Sequence, residues 1–160
     1  MGLQIYTDGG CSGNPGPGGW AYVILRADPQ GDTILAEESG FEGDTTNNRM
    51  ELMGVIHALR ALKTLEGPSG TAPAAVVYTD SQYVQRGITG WIHNWKKNSW
   101  QTGAKQPVKN RDLWIELDRA AGELSLDWRW VRGHDGNRYN ERCDKMTREA
   151  IKRSTNPRVP

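Results

Sequence analysis

Two apolar runs in this chain end in the same three residues: "IYTD" at positions 5–8 and "VVYTD" at positions 76–80. Each run has the length of a strand, and each finishes on a carboxylate, Asp8 or Asp80. A charge at the end of a buried strand is costly unless it is paired or binds a cation. The second run extends to "AAVVYTD", continuously apolar, the pattern of a central strand covered on both faces. Between the two the hydrophobic period changes. Leu52, Val55, Ile56, Leu59 and Leu62 fall at helical spacing, with Thr46 or Asn47 available as N-cap. Strand, helix, strand implies a parallel crossover. If the two strands are neighbours, Asp8 and Asp80 meet at the C-terminal edge of one sheet, where such folds bind ligands.

The remaining segments fill in the fold. "LQIY", "WAYVILR" and "TILAEESGFE" read as an antiparallel meander, with "GGCSGNPGPGG" and "ADPQGD" as the connections. "SQYVQRGI", begun by Ser81, "WIHNWKKNSW" and "NRDLWIELDRAAGEL" read as helices. "LDWRWV" alternates as a last strand, and "NERCDKMTREAIKR" forms the last helix. The expectation is one α/β (α+β) domain over 1–153. Its five-stranded mixed sheet has three antiparallel strands, then parallel ones, flanked by helices. Positions 154–160 read as a disordered tail. A chain of 160 residues is long enough for one such core.

Composition excludes several classes. No window approaches the ~18 apolar residues of a membrane span, and the N-terminus carries no signal pattern, so a cytoplasmic protein is expected. Two cysteines, Cys11 and Cys143, and three histidines form no CxxC or zinc cluster; two free thiols are expected. "GPGGWA" formally satisfies a dinucleotide-binding pattern but precedes a strand, so it carries no weight. His57, on the flank of the long helix, reads as a solvated or core-edge residue rather than a ligand. The net charge of +1 hides an asymmetry: Arg86, Lys96, Lys97, Lys105, Lys109 and Arg111 lie in a segment, 81–111, without Asp or Glu. A basic lobe joined to an acidic body suits a polyanionic partner beside a cation site.

Glu51, in the first turns of the long helix, and Asp144, in the first turn of the last one, can join Asp8 and Asp80. Taken singly, each carboxylate is an ordinary turn or helix-start residue. Four from four elements, beside a basic lobe, read as a site. Like charges raise one another's pKa unless a cation intervenes. An all-oxygen donor set selects Mg²⁺ or Mn²⁺, and two such ions ~3.5–4 Å apart are the usual arrangement for phosphodiester cleavage.

At this point the motifs become specific. "YTDGGCSGNPGPGGWAYV", "TTNNRMEL", "YTDSQYV", "GWIHNWKKNSW", "VKNRDLW" and "VRGHDGNRYNERCD" together, in this order, resemble bacterial ribonuclease H, type 1, over residues 3 to about 150. The resemblance implies a monomeric Mg²⁺-dependent endonuclease that cuts the RNA strand of RNA–DNA hybrids, leaving 5′-phosphate and 3′-hydroxyl ends. It implies Asp8, Glu51, Asp80 and Asp144 as ligands of two metal ions, Asp8 bridging both, and His134 as a mobile catalytic histidine. It matches Cys11, Asn14, Thr46, Asn47, Asn48, Gln82 and Asn140 to positions along the hybrid's minor groove or at the scissile site. It matches Trp91, Trp95, Lys96, Lys97, Trp100, Lys105 and Lys109 to a basic protrusion, about 91–111, that grips the DNA strand. Asp135 and Arg138 depart from the pattern by adding charge beside His134. Two other readings stay open: a catalytically silent hybrid- or double-stranded-RNA-binding module, and the same fold acting on DNA.

Overall fold

The computed structural model describes residues 2–65, 74–133 and 136–155. His134, Asp135, the Gly67–Gly70 connection and positions 156–160 of the expected tail lie outside the described residues. Five strands form one sheet in the order β3-β2-β1-β4-β5. β1 (Leu3–Cys11), β2 (Gly16–Arg26) and β3 (Thr33–Thr45) are antiparallel neighbours. β4 (Ala74–Thr79) runs parallel to β1, and β5 (Ser125–Trp130) parallel to β4. The mixed sheet expected from the sequence is the one observed.

Helices cover both faces. α1 (Asn47–Thr64) is capped by Thr46, whose hydroxyl accepts from the Arg49 N–H at 3.3 Å. It presents Leu52, Val55, Ile56, Leu59 and Leu62 to Ile5, Tyr22, Ile24 and Val77 of the sheet, and α4 (Arg111–Ala121) adds Trp114 and Leu117 to this core. α5 (Arg138–Thr155) closes the opposite face of β1, β2 and β3, with Tyr139 and Cys143 against Tyr6, Ala21 and Val23. None of the helices described is long and apolar enough to cross a membrane. Cys11 and Cys143 are free thiols.

Three expectations change. First, the glycine-rich stretch at 9–19 is mostly strand: β1 continues to Cys11 and β2 starts at Gly16, with Gly10 opposite Gly19. The physical reason is close approach. A Cβ on Gly9 would run into the backbone of Met50 and Glu51, and one on Gly19 would lie 2.9 Å from the Thr147 carbonyl. The glycines let α1 and α5 lie directly on the sheet. Second, α5 begins at Arg138 and continues to Thr155, so Asp144 lies in its second turn, beyond reach of the helix dipole's first turn. Third, α2 (Gln82–Arg86) and α3 (Ile92–Lys97) are joined without a break by a π-turn, Gly87–Trp91. Here a Cβ on Gly87 would collide with the Trp114 ring.

Candidate active site

β1 and β4 pair in parallel with Thr7 opposite Thr79, so Asp8 and Asp80 follow at the same sheet edge. Tyr6 and Tyr78, two residues earlier, stack at 4.7 Å between centroids, which shows the two strands in step on the face toward α5. Gly133, just past β5, lies against Asp80: a Cβ there would be 2.9 Å from Oδ2. The Trp130 indole N–H donates to the Asp80 backbone carbonyl at 2.9 Å. Glu51 enters from α1, which is drawn onto β1 at two glycines. Gly9 abuts the backbone of Met50 and Glu51, and a Cβ on Gly54 would lie 2.9 Å from the Asp8 carbonyl. Ser81 caps α2, accepting from the Val84 N–H at 3.0 Å, and it favours the ionised form of the Glu51 carboxylate. Asp144 arrives from α5, paired with Arg148 one turn on at 3.0 Å.

Burial dominates the electrostatics. It pushes the Asp8 carboxyl from 3.8 up to about 8, and the neighbouring Asp80 and, less strongly, Asp144 push the same way. Burial likewise takes Glu51 from 4.5 to about 7, with Asp80 adding to it against the Ser81 hydrogen bond. The Cys143 thiol, buried under the same edge, is raised far above its ordinary range, chiefly by burial and then by Asp8 and Asp80. These couplings make one electrostatic cluster of the four carboxylates. Among the described residues no three acidic, histidine or cysteine side chains stand together at metal-binding distance. The donor chemistry nevertheless fits a hard divalent cation: the donors are all oxygens, and burial without a compensating positive charge holds Asp8 and Glu51 well above the ordinary carboxylate range.

The candidate substrate-binding residues divide into two groups. At the mouth, the Asn47 side-chain carbonyl accepts from the Cys11 N–H at 2.8 Å, and the Asn14 carbonyl from the Asn47 N–H at 3.2 Å. Both residues are exposed. Asn48 lies in the first turn of α1, and Gln82 is exposed at the start of α2. Asn140 is only 3% exposed, its N–H held by the Asn137 side chain at 3.0 Å. In the protrusion, Trp91 is 40% exposed, while Trp95 packs on it at 6.0 Å and on buried Trp114 at 5.3 Å. Trp100 also packs against the main core. The aromatic cluster thus anchors the protrusion, with Trp91 as its outward ring. Ser99, Trp100 and Lys105, all left-handed, shape the tip. Lys97, Lys105 and Lys109 are exposed, whereas Lys96 is tied to Asp118 at 3.2 Å.

Sequence reasoning passed over five residues that the fold brings to this edge: Ser81 (as a Glu51 partner), Trp130, Gly133, Thr147 and Arg148. Arg148 has a local signal, its i,i+4 spacing from Asp144. The other four act on partners distant in the chain, which periodicity does not reveal.

Comparison with known proteins places this geometry among relatives. The RNase H family model matches residues 2–152. The ribonuclease H of Treponema denticola is 52% identical over 160 residues, covering 96% of this chain and 99% of the relative. That of Dinoroseobacter shibae is 52% identical over 152 residues, covering 93% and 90%. Among solved structures, LC9-RNase H1, a type 1 RNase H with the type 2 active-site motif, superposes with a TM-score of 0.80 at 35% identity, covering 94% of this chain and 72% of its own. LC11-RNase H1 in complex with RNA/DNA hybrid gives 0.72 at 28% identity, covering 96% and 99%.

Proposed function

Since the chain belongs to the ribonuclease H family, we propose that it is an endonuclease that hydrolyses the RNA strand of RNA–DNA hybrids. The observation that carries the reading is the carboxylate cluster, Asp8 and Asp80 on adjacent parallel strands with Glu51 and Asp144 beside them. The hybrid complex of the similar LC11-RNase H1 supports the substrate class.

Asp8, Glu51, Asp80 and Asp144 would hold two divalent cations, Mg²⁺ or alternatively Mn²⁺. The cations supply Lewis-acid chemistry at the scissile phosphate. Burial raises Asp8 to about 8 and Glu51 to about 7, so bound cations would favour the ionised form of both carboxylates. His134 moves a proton at the attacking water or at the leaving 3′-oxygen, or helps product depart, so that the products carry 5′-phosphate and 3′-hydroxyl ends.

Recognition follows from shape and hydroxyls. An A-like hybrid displays 2′-hydroxyls in a wide minor groove. Asn14 and Asn47, with Asn48, Gln82, Thr46 and Cys11, face that groove, and Asn140, buried, belongs to the scissile site. Trp91 stacks on the DNA strand, and Lys97, Lys105 and Lys109 contact its phosphates, with Lys96 reaching them only after leaving Asp118. The protein acts as a monomer in the cytoplasm.

Labelled RNA–DNA, RNA–RNA and DNA–DNA duplexes incubated with Mg²⁺ or EDTA, with product ends mapped, test the reading. Cleavage of the hybrid's RNA alone, and only with Mg²⁺, is expected. Binding of the hybrid without cleavage would favour a silent binding module, and DNA cleavage would overturn the substrate.

A further inference from the structure

Thr147 lies on α5 one turn past Asp144, at 3% exposure. Among the described residues, its hydroxyl is the buried side-chain polar atom with no hydrogen-bond partner. A helical threonine ordinarily satisfies that group on a carbonyl of the preceding turn, so the Cys143 and Asp144 carbonyls are both passed over. Its backbone is held in place: the Thr147 carbonyl faces Gly19, where a Cβ would approach to 2.9 Å. Gly19 pairs with Gly10, two residues past Asp8 on the same strand. Cys143, one turn earlier on α5, reaches the Tyr6 carbonyl at 3.4 Å, two residues before Asp8 on β1, so Thr147 is pressed onto the sheet beside Asp8.

We infer that Thr147 is a positioning residue for the Asp8 carboxylate, its buried hydroxyl donating to one oxygen and leaving the other turned toward a divalent cation. The inference rests on the metal reading above. An orphaned hydroxyl is unfavourable in a folded protein. Donation to Asp8 gives this one a partner. Groups behind metal ligands act in this way, fixing the ligand's orientation.

The test titrates Mg²⁺ into the substrate-free parent, Thr147→Val, Thr147→Ser and Asp8→Asn proteins, followed by amide chemical shifts at the β1 edge. Hybrid cleavage is measured alongside as a function of Mg²⁺. Val keeps the shape and removes the hydroxyl. It is expected to weaken Mg²⁺ binding about tenfold, to raise the Mg²⁺ needed for half-maximal turnover by the same factor, and to leave KM for the hybrid unchanged. Ser is expected to restore binding to near the parental value. A Thr147→Val titration that superimposes on the parent, or equal losses in Val and Ser, would overturn the inference and leave Thr147 as packing. Parent and Asp8→Asn curves that coincide would instead overturn the metal reading, and the inference with it.

Discussion

Replacing Asp8 by Asn should stabilise the metal-free protein while ending turnover. Burial, Asp80 and Asp144 hold the Asp8 carboxyl at about 8 rather than 3.8. The folded chain therefore keeps a proton that the unfolded chain has released. Stability linked to that proton is complete below about pH 4, declines as pH rises, and is gone above about pH 8. At about 1.36 kcal/mol per pH unit, the parent loses about 4 kcal/mol between pH 5 and pH 8 through this group. Asn has no proton to lose, so its variant escapes the decline. At about 2–4 °C per kcal/mol for a chain of this size, the variant should melt about 10 °C above the parent at pH 8. Glu51, at about 7, adds a smaller decline common to both proteins. Thermal melts in EDTA at pH 5, 6, 7 and 8 measure the gap, and a second series in Mg²⁺ should raise the parent but not the variant. Parallel pH profiles, or a variant less stable than the parent at pH 8, would refute the argument that unpaired buried charge dominates this edge.

Other outcomes follow from single contacts. Lys97→Ala should raise KM with kcat unchanged and reduce the log–log salt slope of hybrid binding by about 0.7–0.9; Lys96→Ala, whose cation is spent on Asp118, should change the slope less. Gly9→Ala forces a methyl into the Met50–Glu51 backbone, so it should cost about 3 kcal/mol in denaturant melts and lower kcat by displacing Glu51. His134→Ala should slow turnover about 10²–10⁴-fold without abolishing it; single-turnover rates from pH 5.5 to 9 equal to the parent's would make the histidine a bystander.

Much of this protein was written locally. The alternation of "LDWRWV", the apolar run of "AAVVYTD" and the helical spacing from Leu52 to Leu62 are short-range patterns, and all three elements form where those patterns lie. The parallel crossover then followed from connection rules, and with it the meeting of Asp8 and Asp80. What needed tertiary structure is what depends on contact between distant segments. The sequence of "GGCSGNPGPGG" signals a loop because glycine lacks strand propensity, yet most of it is strand, since two helices must approach closer there than any Cβ permits. Lys96 looks like a free phosphate contact until α4 brings Asp118 beside it. Trp130 and Thr147 carry no local mark at all. Only the pairing of β5 with β4 turns one indole to the Asp80 carbonyl, and only the seating of α5 on Gly19 of β2 buries the other residue's hydroxyl against the sheet. Periodicity reports which face a residue shares with its chain neighbours; the partner it meets across the core is decided by packing.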